Sequence, residues 1–179
     1  MAWSAPMTAV ANSTFTAAQF NQYVRDNLNE TAPAKATSAG GYFVGSGVNA
    51  IAERRAATGA DLTLGTTTST SFTNLTGTSV GPSVTVETGP AALVIVRCAA
   101  ENSGAGSVRM AYEVSGAHSQ APADNRGVSI FGVANVNLGA SDATLMTPIT
   151  PGLNTFTAKY RVSSGTGSFS SRRIIVIPF

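Results

Sequence analysis

The stretch GLNTFTAKYRVSSGTGSFSSRRIIVIPF, Gly152–Phe179, decides how the chain is read. Phe156, Ala158, Tyr160 and Val162 alternate with Thr157, Lys159 and Arg161, the period of two that marks a half-buried strand. Ser164-Gly165-Thr166-Gly167 interrupts the alternation with turn residues. The chain returns through Arg173-Ile174-Ile175-Val176-Ile177-Pro178-Phe179, apolar on both faces. The pattern predicts a hairpin whose second strand is a buried wall, with Phe179 itself buried. Arg172 and Arg173 are expected to make polar contacts where that strand begins.

Working back from this hairpin, strand patterns repeat at short intervals. Ala91–Ala100 is a continuous apolar run and reads as a central strand. Ser107–Ser115 alternates, with Val108, Met110, Tyr112 and Val114 directed inward and Arg109 and Glu113 outward. Thr66–Thr78, Ser83–Glu87, Gly127–Asn137, Ala143–Ile149, Leu153–Ser163 and Ser168–Phe179 complete eight predicted strands. Ala117–Arg126 and Asn137–Asp142 read as outer loops. The pattern is that of a mainly β chain ending in an antiparallel β-sandwich of jelly-roll type, preceded by an N-terminal α-helix and an extended arm.

The helix signal is local and specific. Thr16 with Gln19 forms a capping box, and Phe15 and Phe20 are placed as a hydrophobic staple. The helix is expected over Ala17–Asn29. Phe20, Tyr23, Val24 and Leu28 form its apolar stripe and Asn27 lies at the seam. So short a helix is marginal alone and must dock, on its own β body, in a bundle of copies or on a partner. Pro33 ends it. Residues 33–65, with Gly40, Gly41, Gly45, Gly47 and Gly59, read as an arm, because so long a structureless stretch is uncommon inside a compact domain. Tyr42–Val44 and Ile51–Arg54 are short ordered pieces within it. The expected divisions are 1–32 (anchoring segment with helix), 33–65 (arm) and 66–179 (β knob).

Charged residues make up 11% of the 179 residues and the net charge is +2, against a typical share of ~25%. Such a neutral, hydroxyl-rich surface suits contact with copies of itself or with a large assembly. Arg54-Arg55 and Arg172-Arg173 are the basic doublets, and neither belongs to a run that tracks phosphates, so nucleic-acid binding is not expected. The apolar runs are too short for a bilayer-spanning helix. The start, MAWSAPMTAVANS, has no basic n-region, so no signal peptide is expected. Cys98 is the one cysteine and reads as a buried small hydrophobe.

Motifs that could carry chemistry lack their context. Gly45-Ser46-Gly47-Val48-Asn49-Ala50 matches a dinucleotide fingerprint, but no helix follows it and no βαβ unit surrounds it. Gly77-Thr78-Ser79-Val80-Gly81 has nucleophile-elbow spacing but leads into Pro82 and a strand. His118, the one histidine, sits in a polar loop with Ser119 and Asp124. One histidine and one cysteine cannot build a structural zinc site. Glu101 and Glu113 are the carboxylate pair a glycan hydrolase would need, the remote alternative. The hydroxyl-rich tract with its Asn74-Leu75-Thr76 sequon reads as a polar edge strand. No catalytic residue, metal or cofactor is expected.

The segment WSAPMTAVANSTFTAAQFNQYVRDNLNE resembles the opening of many bacteriophage virion proteins. Thr16, Ala17, Ala18, Asn21, Val24, Arg25, Asp26, Asn27 and Leu28 carry the match. The final hairpin is similar to the "G-x-x-T-F-x-A-x-Y-R" strand and "R-x-I-x-V-I-P" ending of the same class, and Tyr42–Arg54 matches a further segment. The resemblance implies a non-enzymatic virion structural protein of a tailed phage of actinobacteria, assembled in the bacterial host cytoplasm. It implies a homotrimeric tail-fibre or minor tail component, or alternatively a capsid decoration or head-fibre protein. The partners implied are copies of itself, a tail or major capsid protein and a host cell-surface glycan, with no membrane insertion. The residues expected at oligomer or anchor contacts are Phe20, Tyr23, Val24, Asn27, Leu28, Ile175, Ile177 and Phe179.

Overall fold

The computed structural model describes residues 3–77, 80–132 and 134–179. The chain forms two compact units, Met1–Arg55 and Ala56–Phe179.

In the first unit, a helical run covers α1 (Ala17–Phe20), a π-helical stretch (Asn21–Asp26) and α2 (Asn27–Asn29), and a short α3 (Ala32–Lys35) follows. The capping box is present: the Gln19 backbone N–H donates to Thr16 Oγ1 at 3.2 Å, and the Thr16 N–H donates to Gln19 Oε1 at 2.9 Å. Phe15 and Phe20 meet edge-on, 6.1 Å between ring centroids. Beyond α3 the expected arm instead forms a hairpin, β1 (Tyr42–Gly47) against β2 (Ala50–Arg54). The Glu53 carboxylate ties it to residues 37 and 38, accepting from the Thr37 N–H at 2.6 Å and the Ser38 N–H at 3.2 Å.

The second unit contains β3 (Ala57–Asp61), β4 (Gly65–Thr67), β5 (Ser83–Thr88), β6 (Ala92–Asn102), β7 (Val108–Gly116), β8 (Gly127–Ile130), β9 (Leu138–Met146), β10 (Gly152–Val162) and β11 (Gly167–Pro178). One sheet has the order β5-β10-β7-β8 and the other β3-β11-β6-β9, with β4 pairing the first turn-side residues of β11. The main pairs are nested: β3 with β11, β5 with β10, β6 with β9 and β7 with β8, all antiparallel. Successive pairs alternate between the two sheets, as if a long hairpin were rolled around the core. That winding defines a jelly roll.

The core is the inward set of four strands. Val94, Val96 and Ala100 of β6, Met110 of β7, Phe156, Ala158 and Val162 of β10, and Ile174 and Val176 of β11 are buried. Tyr160 and Phe169 cross edge-on at 4.9 Å. Cys98 is fully enclosed, and burial pushes its thiol up to about 12.

Several boundaries differ from those the sequence suggests. Residues 57–61 are not arm but the edge strand β3, paired with β11. Gly59 allows its close approach, since a Cβ there would meet the Ser83 carbonyl oxygen at 2.4 Å. The tract expected as a strand over 66–78 is not continuous strand in its described part, 66–77: β4 ends at Thr67, and isolated bridges hold Thr73 to Tyr160 and Thr76 to Thr66. The strand expected over 127–137 ends at Ile130, and the one expected at 143–149 runs earlier, as β9. Most of the predicted loop 137–142 is therefore strand. A bulge in β11 between Ser170 and Arg173 switches the inward parity, and Ser171 takes φ 49 there. Phe169 points inward before the bulge and Arg172, Ile174 and Val176 after it. Arg172 is thus fully buried while its neighbour Arg173 is exposed.

Candidate interaction surface

The outer face of the β3-β11-β6-β9 sheet is organised by its register. Paired residues on neighbouring strands share a face. Ile175 stands opposite Ile95, which stands opposite Ala143. In the next row Ile177, Leu93 and Leu145 lie side by side. Phe179 extends the field, its N–H donating to the Ala91 carbonyl at 2.8 Å. Leu145 is 60% and Phe179 39% exposed, and Leu93, Ile95, Ile175 and Ile177 are half-buried. These side chains form a contiguous apolar field on the outer face of the sheet. The expectation that Phe179 is buried is not met within one chain, because its ring sits on the outward parity of β11. Across the row bordering this field, Arg173 stands opposite Arg97, both exposed.

The helix residues belong to the other unit. Phe20 is 49% and Leu28 59% exposed, and Tyr23 and Val24 are half-buried. Asn27 is buried and holds the N-terminal segment of its own chain: its Oδ1 accepts from the Ser4 N–H at 2.9 Å, and its Nδ2 donates to Ser4 O and Tyr23 O, each at 3.1 Å. Its side chain is therefore spent inside the chain and is not left free at a seam.

The opposite sheet presents a second pair of arginines. Arg109 and Arg161 are register partners, and Asp124 bridges them, with its Oδ2 2.6 Å from Arg109 Nη1 and its Oδ1 accepting from Arg161 Nε at 2.8 Å. Arg161, first, and Arg109 hold the Asp124 carboxyl below the usual carboxylate range. The guanidinia also lie over aromatic rings, Arg109 5.4 Å from Phe131 and Arg161 5.5 Å from Phe72.

A cleft of about 310 Å³ opens beside the 117–126 segment, lined by His118, Gln120 and Arg126 on one side and residues 144–148 on the other. Asn154, fully buried, fixes this segment by accepting from the His118 N–H at 2.6 Å while its Nδ2 donates to Thr88 Oγ1 at 2.7 Å. His118 Nδ1 accepts from the Thr150 N–H at 3.3 Å. Asp124 is engaged with its arginines instead of this histidine. Glu113 pairs with Lys159 at 3.0 Å, and Lys159 also donates to Asn74 Oδ1 at 2.8 Å. The Gly77–Gly81 motif lies partly outside the described residues. Among the described residues no cluster of His, Cys, Asp or Glu could hold a metal ion, and no helix is long and apolar enough to cross a membrane.

No protein-family model matches the chain, and no curated protein matches it. Among solved structures, the chain is similar to the VP2 subviral particle of infectious bursal disease virus, at 11% identity and a TM-score of 0.47, covering 75% of this chain and 37% of that one. It is also similar to Eiger TNF from S. frugiperda, at 11% identity and a TM-score of 0.45, covering 69% of this chain and 91% of that one. The chain thus spans little more than a third of the length of VP2. The jelly roll is defined by the strand order alone.

Proposed function

We propose that the chain is a non-enzymatic virion structural protein of a tailed phage, a homotrimeric tail-fibre or minor tail component. The unit Met1–Arg55 anchors it to another virion protein, and the jelly roll forms the exposed knob. The observation that carries this reading is the apolar field of Leu93, Ile95, Leu145, Ile175, Ile177 and Phe179, which a lone subunit leaves in water. Assembly hides it. At roughly 25 cal/mol per Å² of apolar area, its burial favours association. The similarity of the helix and the closing hairpin to phage virion proteins supports the same reading. The cleft beside residues 117–126 offers hydroxyl, imidazole and guanidinium groups of the kind that bind a host glycan.

Light scattering at micromolar concentration tests the trimer; a monomer there overturns it. Deleting residues 1–55 should leave a folded body that no longer enters particles, and normal incorporation would remove the anchoring role. Gold labelling of particles distinguishes a tail position from the capsid decoration alternative.

A further inference from the structure

We propose that Arg97 and Arg173 form the receiving half of a contact between copies of this chain, and that the neighbouring copy supplies Glu101, set among its Phe131, Val136 and Leu138. This rests on the trimer reading above and names its polar contact.

Like charges directly opposite each other across strands are destabilising. The protein contains this arrangement on both sheets. On one, Asp124 neutralises the Arg109–Arg161 pair. On the other, Arg97 and Arg173 form no hydrogen bond or ion pair through their guanidinia among the described residues, yet they border the apolar field of Ile95, Ile175, Leu93 and Ile177. Such a surface fits a partner that carries a carboxylate beside apolar side chains.

The chain itself contains one such group. Of its nine acidic residues, Glu87 and Glu101 are the ones whose carboxylates have no hydrogen-bond or ion-pair partner among the described residues. Glu87 stands opposite Leu153, and the next row on that face is Thr85 opposite Thr155. Glu101 lines a shallow depression with Phe131, Val136 and Leu138, which are 64%, 40% and 44% exposed. Within one chain Glu101 cannot serve Arg97, because it lies four residues along the same face of β6, roughly 13 Å away at strand rise. Between copies the contact joins the Arg97–Arg173 row of one subunit to the end of β6 and the adjoining β8–β9 connection of the next. A head-to-tail contact of this type closes into a ring when the rotation permits. Desolvated at the border of an apolar field, a two-arginine carboxylate contact is charge-assisted and sets the register of association.

The test is a charge exchange in the full chain, read by mass photometry across a dilution series with thermal melts as folding controls. Glu101→Arg alone, and Arg97→Glu with Arg173→Glu, should each raise the half-assembly concentration at least about tenfold. The chain carrying all three substitutions should recover assembly. Glu101→Gln, which keeps the side-chain shape, guards against misfolding and should also weaken assembly with an unchanged melting temperature. Unchanged assembly by Glu101→Gln or Glu101→Arg overturns the inference while leaving the trimer standing. Failure of the triple variant to recover, with its fold intact, also overturns it. A monomeric wild type overturns both.

Discussion

Arg172 and Tyr160 donate to the same acceptor, the Gly81 carbonyl oxygen, at 3.1 Å from Arg172 Nη1 and 2.9 Å from the phenol. Arg172 also donates to Thr63 O at 2.8 Å and pairs with Asp61 at 2.7 Å, while its guanidinium lies 5.5 Å from the Tyr160 ring centroid. One buried cation thus fastens β3, the loop after it and the turn before β5 to the core. Removing one partner of a buried pair strands the other. Arg172→Ala should therefore destabilise the sandwich by about 3–5 kcal/mol, and Tyr160→Phe by about 1–2 kcal/mol. Because they share an acceptor, the double variant should lose less than the sum. Urea unfolding of the four chains gives the coupling, and strict additivity would mean the two groups act independently.

Asp124 should make the arginine-bridged face sensitive to acid. Its folded pKa is lowered by Arg161 and Arg109, so the stabilisation is present above the unfolded value of about 3.9 and disappears as pH falls through the lower folded value. Asp124 is exposed and its two arginines are half-buried, so the effect should stay below about 1 kcal/mol and shrink with salt. Asp124→Asn should remove this pH dependence and leave Arg109 and Arg161 repelling each other. A variant whose stability still falls over the same acid range would place the titration elsewhere.

The strands whose pattern the core dictates were legible. Val108 and Met110 on either side of Arg109, or Ala158, Tyr160 and Val162 on either side of Lys159 and Arg161, are buried at alternate positions because burial on one face writes itself into the sequence as a period of two. Three features were not legible. β3 was hidden because Gly59 must be small to lie against Ser83, and a strand made of Ala, Thr and Gly has no apolar signature. The bulge at Ser171 put Arg172 inside and Arg173 outside, which alternation carried straight through the doublet could not show. The relation of Arg97 to Arg173 and of Asp124 to its arginines is a matter of register between distant strands. The helical span, in contrast, announced itself through Thr16, Gln19, Phe15 and Phe20, because capping and stapling are short-range interactions.

Leu28 separates assembly from folding. It is 59% exposed on α2, in the first unit. Leu28→Asp should weaken incorporation into particles while shifting the melting of the β body by no more than about 2 °C, since a surface substitution usually stays within ±0.5 kcal/mol. Calorimetry and a particle-incorporation assay read the two effects. A melting temperature lowered by several degrees would mean that the helix stabilises the sandwich directly.

Glu53 gives the first unit its own pH signature. Besides the two backbone N–H groups, its carboxylate accepts from the Thr37 hydroxyl at 2.6 Å and the Ser38 hydroxyl at 3.0 Å. These bonds, led by the Thr37 hydroxyl, hold its pKa at about 2. A lowered folded pKa means the tether is at full strength above the ordinary carboxylate value of about 4.3 and is lost as pH falls toward the folded value. Gly41 leaves room for the arrangement, since a Cβ there would meet Glu53 Oε1 at 2.1 Å. Amide exchange at Thr37 and Ser38 should therefore be slow at neutral pH and accelerate between about pH 4 and pH 2, beyond the intrinsic pH trend. Glu53→Gln and Gly41→Ala should each speed that exchange at neutral pH without changing exchange in β6 or β10. Unchanged protection of Thr37 and Ser38 in both variants would show that the segment is held by something other than this carboxylate.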